Sequence, residues 1–347
     1  MKEKNPTSFD IAYLAGVSQS TVSRALRDSP LVNKETREKV QQIARELNYK
    51  VDKNARNLRM QKTKTLALLL CEDKGPGNLL INPFFLSMLG SITRAASERG
   101  YDLLVSFQQY SEDWHADYEF AHRADGIIFL GYGDWIVYQQ KIQYLTEVGT
   151  HFITWGPVLE GQPGVAIGCN NEQGAYDVIT HLIRMGRKHI AFLGDIADRS
   201  PEFKARYAGY CRALEDAGIR PQKSLQIGAE TSEDEGFNAM ENLLASRSQD
   251  GLQIDAVFGA SDVIAIGAIK ALEQAGKIIP DDVAVVGFDD IPISSFTHPP
   301  LTTVQQDTFV AGELLVNNLL KMIEGETVQS LSLDAKLIVR RSCGFTG

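Results

Sequence analysis

The chain has 347 residues, of which 44% are hydrophobic and 23% charged, and its formal net charge is −9. That length suggests two or three domains with ample apolar material for their cores. No uninterrupted apolar run approaches the roughly 20 residues of a membrane helix, which excludes a helical membrane protein. Met1-Lys2-Glu3-Lys4-Asn5-Pro6 has no apolar signal-peptide core, so a cytoplasmic location is expected. The charge is unevenly placed. Residues 1–62 hold 13 Lys/Arg and 7 Asp/Glu, a net of +6, leaving −15 for the rest. A basic head on an acidic body fits polyanion binding by the head alone.

Within the head, Ile11, Leu14 and Ala15 recur at helical spacing. Gly16-Val17-Ser18 interrupts the pattern, and Val22, Ala25 and Leu26 resume it. The spacing predicts a helix, a tight turn and a second helix. Gly16 suits the positive φ of the turn, and Ser18 offers an oxygen to cap the second helix. That helix would present Gln19, Ser20, Thr21, Ser23 and Arg24 outward, short polar groups plus a guanidinium suited to a DNA major groove. A third helix, from the cap Asn33 through Leu47, would close the core with Val40, Ile43, Ala44 and Leu47. A hairpin used only for packing would show the same spacing; the charge split favours DNA.

Residues 10–24, together with 32–40 and Leu47-Asn48-Tyr49, resemble the head of the LacI/GalR family of bacterial transcriptional repressors, and the likeness continues along essentially the whole chain. It implies a helix-turn-helix domain over 1–50 and a hinge or linker over 51–64. The expected DNA-facing set is Thr7, Ser18, Gln19, Ser20, Thr21, Ser23, Arg24, Asn33 and Tyr49. Gln19, Ser20 and Arg24 are expected on bases or adjacent backbone, with Thr21, Ser23 and Asn33 on phosphates. Residues 49–64 are polar and basic, and 52–58 suit one or two helical turns capped by Asp52, too short to be stable undocked. In the resembled family this segment is a hinge helix that pairs with its dimer mate and pushes a leucine into the minor groove. Ala55 and Leu58 occupy the matching positions. Val51-Asp52 stands where the family usually has Pro-Asn.

After Thr65, strand-like runs at 66–70, 102–106, 126–130, 152–154, 190–193, 256–259 and 283–287 alternate with helical patterns at 84–99, 173–185, 206–217, 233–246, 263–275 and 308–325. Such alternation implies an α/β fold with parallel sheets wound by helices. One large enzyme domain or two lobes would both satisfy it. The resemblance favours two lobes over 65–343, like periplasmic sugar-binding proteins, with three crossings between them. On that reading the first lobe is about 65–168 plus 296–325 and the second about 169–295 plus 326–343. Residues 79–90 and the Tyr/Trp-rich segment 108–124 depart in length from the family pattern.

Ligands of open α/β sheets sit beyond the carboxyl ends of strands. Phe84, Phe85, Trp155, Arg206, Ser261 and Asp289 follow such ends. A sugar offers an apolar face for aromatic rings and hydroxyls for a carboxylate or a guanidinium, and this set holds both kinds of partner. The resemblance implies that Arg206 and Asp289 grip the effector and that Phe84, Phe85 and Trp155 line it. Phe84 or Phe85 would equally suit the core, and Asp290 a structural anchor. Ser261 stands where many members have asparagine, and Asn170 where an aspartate is usual, so effector identity is not carried over.

No Gly-x-Ser-x-Gly elbow, GxxxxGK[ST] or GxGxxG occurs, so no enzyme is expected. The separated Cys71, Cys169, Cys211 and Cys343 read as free thiols, and no cofactor or metal is implied. The expected partners are a near-palindromic operator, a small sugar-like effector and a second copy in a homodimer, without a heptad tail for a tetramer. A purine corepressor, a phosphoprotein partner, a sugar-binding protein without regulation and a sugar-converting enzyme with an appended head remain as alternatives.

Overall fold

The computed structural model describes residues 6–49, 62–71, 81–250 and 254–345, without the side chains of 247–250. The chain divides into two compact units, Met1–Thr63 and Lys64–Gly347. The hinge segment 51–61, with Ala55 and Leu58, lies outside the described residues.

The first unit is built from α1 (Ser8–Ala15), α2 (Gln19–Ala25) and α3 (Lys34–Glu46). Each begins at a side-chain cap. Asp10 N donates to Thr7 Oγ1 while Thr7 N donates to Asp10 Oδ2, a reciprocal box. Thr21 N donates to Ser18 Oγ at 3.2 Å, and Thr36 N donates to Asn33 Oδ1 at 2.8 Å, the usual bonds of a helix N-cap. Gly16, at φ 67°, ends α1 in the left-handed conformation that a β-carbon disfavours. Ile11, Ala12, Ala15, Val22, Ala25, Val32, Val40 and Ala44 form the core. Leu14, expected inside, is 53% exposed, and Ala12 takes its place. With about 3.6 residues per turn, the buried arc of α1 runs through 11, 12 and 15 and leaves position 14 at its edge.

In the second unit, six parallel strands form the first sheet: β1 (Thr65–Leu70), β2 (Asp102–Phe107), β3 (Gly126–Leu130), β4 (Phe152–Trp155), β5 (Val165–Cys169) and the late β11 (Leu331–Leu333). Their order is β11-β5-β4-β3-β1-β2. β1 and β3 read Thr-Leu-Ala-Leu-Leu-Leu and Gly-Ile-Ile-Phe-Leu, near-continuous apolar runs suited to a sheet covered on both faces. One core joins alternate strand residues to Phe84, Met88 and Ile92 of α4 (Pro83–Glu98) and to Leu315 and Leu319 of α10 (Thr308–Ile323). The other joins Ala67, Leu69, Ile127 and Phe129 to Trp114, Tyr118 and α5 (Trp135–Glu147).

The second sheet, also parallel, orders β7 (Gln226–Ile227), β6 (Ile190–Leu193), β8 (Ala256–Gly259) and β9 (Ala284–Val286) as β7-β6-β8-β9. Around it, α6 (Asn171–Arg184) packs with α7 (Pro201–Asp216), and α8 (Glu233–Asp250) with α9 (Asp262–Gln274). Between the lobes, β10 (Thr303–Gln305) runs antiparallel to β12 (Lys336–Ile338).

Pairing moves two expected lobe boundaries. Residues 296–305 were expected in the first lobe, yet Leu301 and Val304 are buried in the second-lobe core, and Asp289 N donates to Val304 O at 2.8 Å. Residues 331–333 were expected in the second lobe, yet β11 pairs in parallel with β5 of the first sheet. The third crossing therefore falls between β11 and β12.

Candidate functional site

On the head, Thr7, Ser18, Ser20, Arg24 and Asn33 are exposed, while Gln19, Thr21, Ser23 and Tyr49 are half-buried. The α2 hydroxyls form a cluster: Ser18 Oγ lies 2.8 Å from Ser20 Oγ and 2.9 Å from Thr21 Oγ1. Gln19 Nε2 donates to Ser8 Oγ at 2.9 Å, and Arg27 Nη2 to Ser23 Oγ at 3.1 Å. The Gln19 amide and the hydroxyls of Thr7, Ser18, Ser20, Thr21 and Ser23 are thus all hydrogen-bonded within the head. Arg24 extends from the last turn of α2.

In the body, Arg206 and Asp289 come together from α7 and the loop after β9. Arg206 Nη2 stands 3.4 Å from Asp289 Oδ1, with side-chain exposures of 5% and 6%. The guanidinium is fixed on every side. Nε donates to Asn171 Oδ1 at 2.8 Å, and Nη1 donates to the Ala260 carbonyl. The Phe288 ring centroid lies 3.8 Å from Cζ, close enough for a cation–π contact. Asp289 also accepts from Gln306 Nε2 at 2.6 Å. Its backbone is at φ 115° and that of Asp290 at φ 53°, so two consecutive non-glycine residues sit in the left-handed half of φ space. Such residues store about 1–3 kcal/mol each and cluster at functional sites. Burial pushes the Asp289 carboxyl up to about 6 against the opposing pull of Arg206 and Gln306.

The aromatic wall belongs to the first lobe. Phe84 and Trp155 are 4% and 7% exposed, with ring centroids 6.0 Å apart, and Phe85 packs edge-on against Phe84 at 5.5 Å. Phe84 is both core and wall: it shares a cavity of about 300 Å³ with Asp289, Ile291, Gln306 and Phe309. Ser261 does not join this set. It is 1% exposed, and its hydroxyl oxygen caps α9 by accepting from Ile264 N. A serine directly before a helix is drawn to the unsatisfied amides of the first turn. Asn170 likewise caps α6, leaving its neighbour Asn171 to meet Arg206.

Two further groups at the cleft were not among the expected residues. Tyr132, in the loop after β3, donates its hydroxyl to Glu202 Oε2 of the opposite lobe, and beside it Trp135 N donates to Arg199 O at 3.2 Å. Burial pushes the Glu202 carboxyl up to about 7. Glu202 lies one helical turn before Arg206, the spacing that puts two residues on one face of α7 and the signal that could have found it.

Behind the cleft, Asp290 pairs with Arg340 at 2.7 Å and accepts from Gln305 at 2.9 Å, tying the second and third crossings together. Asp262, at the start of α9, accepts from Ile291 N, Ser294 Oγ and Thr303 Oγ1. Its approach requires Gly287, where a β-carbon would collide with Oδ1. Burial and the Asp289 charge push that carboxyl up to about 8.

A capped helix-turn-helix head and a two-lobed parallel α/β body with a polar, aromatic-walled cleft define a DNA-binding transcriptional regulator with a ligand-binding body. Family comparison agrees for both parts: "Bacterial regulatory proteins, lacI family" matches residues 9–52, and "Periplasmic binding protein-like domain" matches residues 179–343. The chain belongs to the LacI family of bacterial regulatory proteins. It is 32% identical over 349 residues to the HTH-type transcriptional regulator CelR of Thermobifida fusca, spanning 98% of this chain and 99% of that one. Among solved structures, a transcriptional regulator CelR–cellobiose complex superposes with a TM-score of 0.71 at 30% identity, covering 97% of this chain and 99% of that one. The lac repressor dimer bound to operator and the anti-inducer ONPF gives a TM-score of 0.81 at 26% identity, covering 98% of this chain and 99% of that one. Among the described residues, no helix is long and apolar enough to cross a membrane.

Proposed function

We propose that the protein represses carbohydrate-utilisation genes, acting in the cytoplasm as a homodimer on a near-palindromic operator, with operator affinity set by a sugar bound between the lobes. It acts by binding and not by catalysis. The observation that carries this reading is the buried Arg206–Asp289 pair, whose Asp289 lines one cavity with Phe84 of the aromatic wall, in a chain that also carries a capped, basic helix-turn-helix head. The carboxylate, held in place by the guanidinium, accepts hydroxyls through charge-assisted bonds, and the rings take the apolar face of a pyranose. The similar CelR structure contains cellobiose, which supports the ligand class.

On the operator, Ser20 and Arg24 reach base edges or the adjacent backbone, with Gln19 beside them, while Thr7, Ser18, Thr21, Ser23, Asn33 and Tyr49 hold the phosphates. Ala55 and Leu58 are assigned to the minor groove at the operator centre. Leu86 on α4 with Phe309 and Val310 on the adjoining α10 leave a partly apolar face exposed, which supports pairing of first lobes.

Thermal unfolding against neutral sugars, sugar phosphates, uronates and purines tests the reading. A ligand at 100 times its dissociation constant adds about 2.7 kcal/mol. A sugar is expected to raise the melting temperature of the wild type and not of Asp289→Ala, and Arg24→Ala is expected to lose the operator while keeping the sugar shift. A shift by purines alone would overturn the sugar assignment.

A further inference from the structure

Glu202 lies in the first turn of α7 and faces the cleft, and among the described residues no Lys or Arg forms an ion pair with it. The neighbouring basic residues are committed elsewhere: Arg199 to Asp195 and Glu230, Lys204 to Asp198, and Arg206 to Asp289. Its Oε2 accepts the Tyr132 hydroxyl from the first lobe, and a β-carbon placed on Gly156, next to Trp155, would lie 3.8 Å from Oε1. The carboxylate therefore bridges the mouth of the cleft beside the aromatic wall. It also occupies the N-terminal turn of α7, where free amides and the helix dipole would otherwise favour an anion.

Among the described residues, the charges gathered here are thus one guanidinium against the carboxyls of Asp289 and Glu202, and the guanidinium is already bonded to Asp289, Asn171 and the Ala260 carbonyl. A site built for a phosphate or a carboxylate presents uncommitted Arg, Lys or amide donors. This one presents acceptors, which match the donating hydroxyls of an uncharged sugar. We infer that Glu202 is a specificity-determining residue that accepts a sugar hydroxyl and rejects sugar phosphates and uronates, so that the regulator responds to neutral sugars. The inference rests on the sugar reading of the cleft proposed above, and it adds the charge class of the ligand and the residue that sets it.

Isothermal titration of the full-length protein at pH 8, where the Glu202 carboxyl is ionised, tests it with matched pairs: glucose against glucose 6-phosphate and glucuronate, ribose against ribose 5-phosphate, and cellobiose against cellobiose 6-phosphate. At least one neutral sugar is expected to bind, with its anionic counterpart weaker by about tenfold or more, since like charges brought together in a closed site are strongly disfavoured. Glu202→Gln keeps an acceptor for Tyr132 while removing the charge, and is expected to close most of that gap, with operator binding confirming that the variant is folded. The wild-type preference stands as a readout of its own should the variant not fold. An anionic sugar binding as tightly as its neutral counterpart, or a gap unchanged in folded Glu202→Gln, overturns the inference and leaves the sugar reading in place. No binding by any sugar, neutral or anionic, overturns the sugar reading and the inference together.

Discussion

Arg206 and Asp289 hold opposite charges in a nearly water-free place, so each is the condition for the other's burial. Removing one partner of such a pair leaves an uncompensated charge and destabilises by about 3–5 kcal/mol. Arg206→Ala is expected to lower stability by that order, whereas Asp289→Asn, which keeps a polar group beside Gln306 and Arg206, should lower it less. Denaturant titration of both variants compares them, and an Arg206→Ala protein as stable as the wild type would contradict a pair buried in solution. Asp289 and Glu202 keep their protons up to about pH 6 and 7 because burial disfavours their charged forms. A sugar hydroxyl donating to either carboxylate favours the ionised form, so a carboxyl that is still protonated must first release its proton. Effector affinity is therefore expected to fall as pH drops through 7 and then 6, and to level off above about pH 8. Titration at pH 5.5 and pH 8 checks the sign; equal affinities would mean that neither carboxylate accepts from the ligand.

At the scale of elements, the head depends on three side-chain caps, each meeting amides that a short helix leaves open. Asn33→Ala is expected to destabilise the head by about 1 kcal/mol, seen as an earlier loss of its helical signal on heating. An unchanged transition would show that water serves Thr36 N equally well. Two of these caps, Ser18 and Asn33, were legible in the sequence because they stand directly before periodic apolar runs, whereas Thr7 was read only as a DNA-facing residue. The strands β1, β3, β6 and β8 were legible as continuous apolar segments, the pattern of a sheet buried on both faces. Helix α5 was not, since Trp-Ile-Val-Tyr is a β-prone run. What decides it is the Asp134 cap, with its bonds to Ile136 N and Val137 N, and the burial of Trp135, Tyr138, Ile142 and Leu145 at helical spacing. The strand β5, Val-Ala-Ile-Gly-Cys, was missed because only two of its residues are β-branched, and the short strands β7, β10, β11 and β12 because their pairing comes from segments distant in sequence. In the site, Asp289 was visible through its placement after a strand, and Arg206 at the start of an expected helix, although α7 begins five residues earlier at Pro201. Asn171, Gln306, Tyr132 and Glu202 acquire their partners only when the crossings and the opposite lobe are folded.

At the scale of the molecule, the proposed effector contact Asp289 and the Asp290–Arg340 ion pair stand side by side where the chain passes between the lobes. Asp289 faces Arg206 while Asp290, the next residue, pairs with Arg340, which follows β12 beyond the last crossing. Across the mouth, Tyr132 and Glu202 join one lobe to the other. A ligand that inserts between these groups acts on the relative placement of the lobes, and any arrangement that suits ligand and operator unequally couples the two sites. Such couplings are typically about 1–3 kcal/mol, a factor of roughly 5–150, and they are reciprocal by thermodynamic necessity. The most direct measurement is therefore made both ways on one protein: operator affinity with and without the sugar that raises its melting temperature, and affinity for that sugar with and without operator. The expected result is a change of at least about fivefold in operator affinity, with sugar affinity changed by the same factor. Operator affinity that stays the same at saturating sugar would contradict control of the head by the cleft.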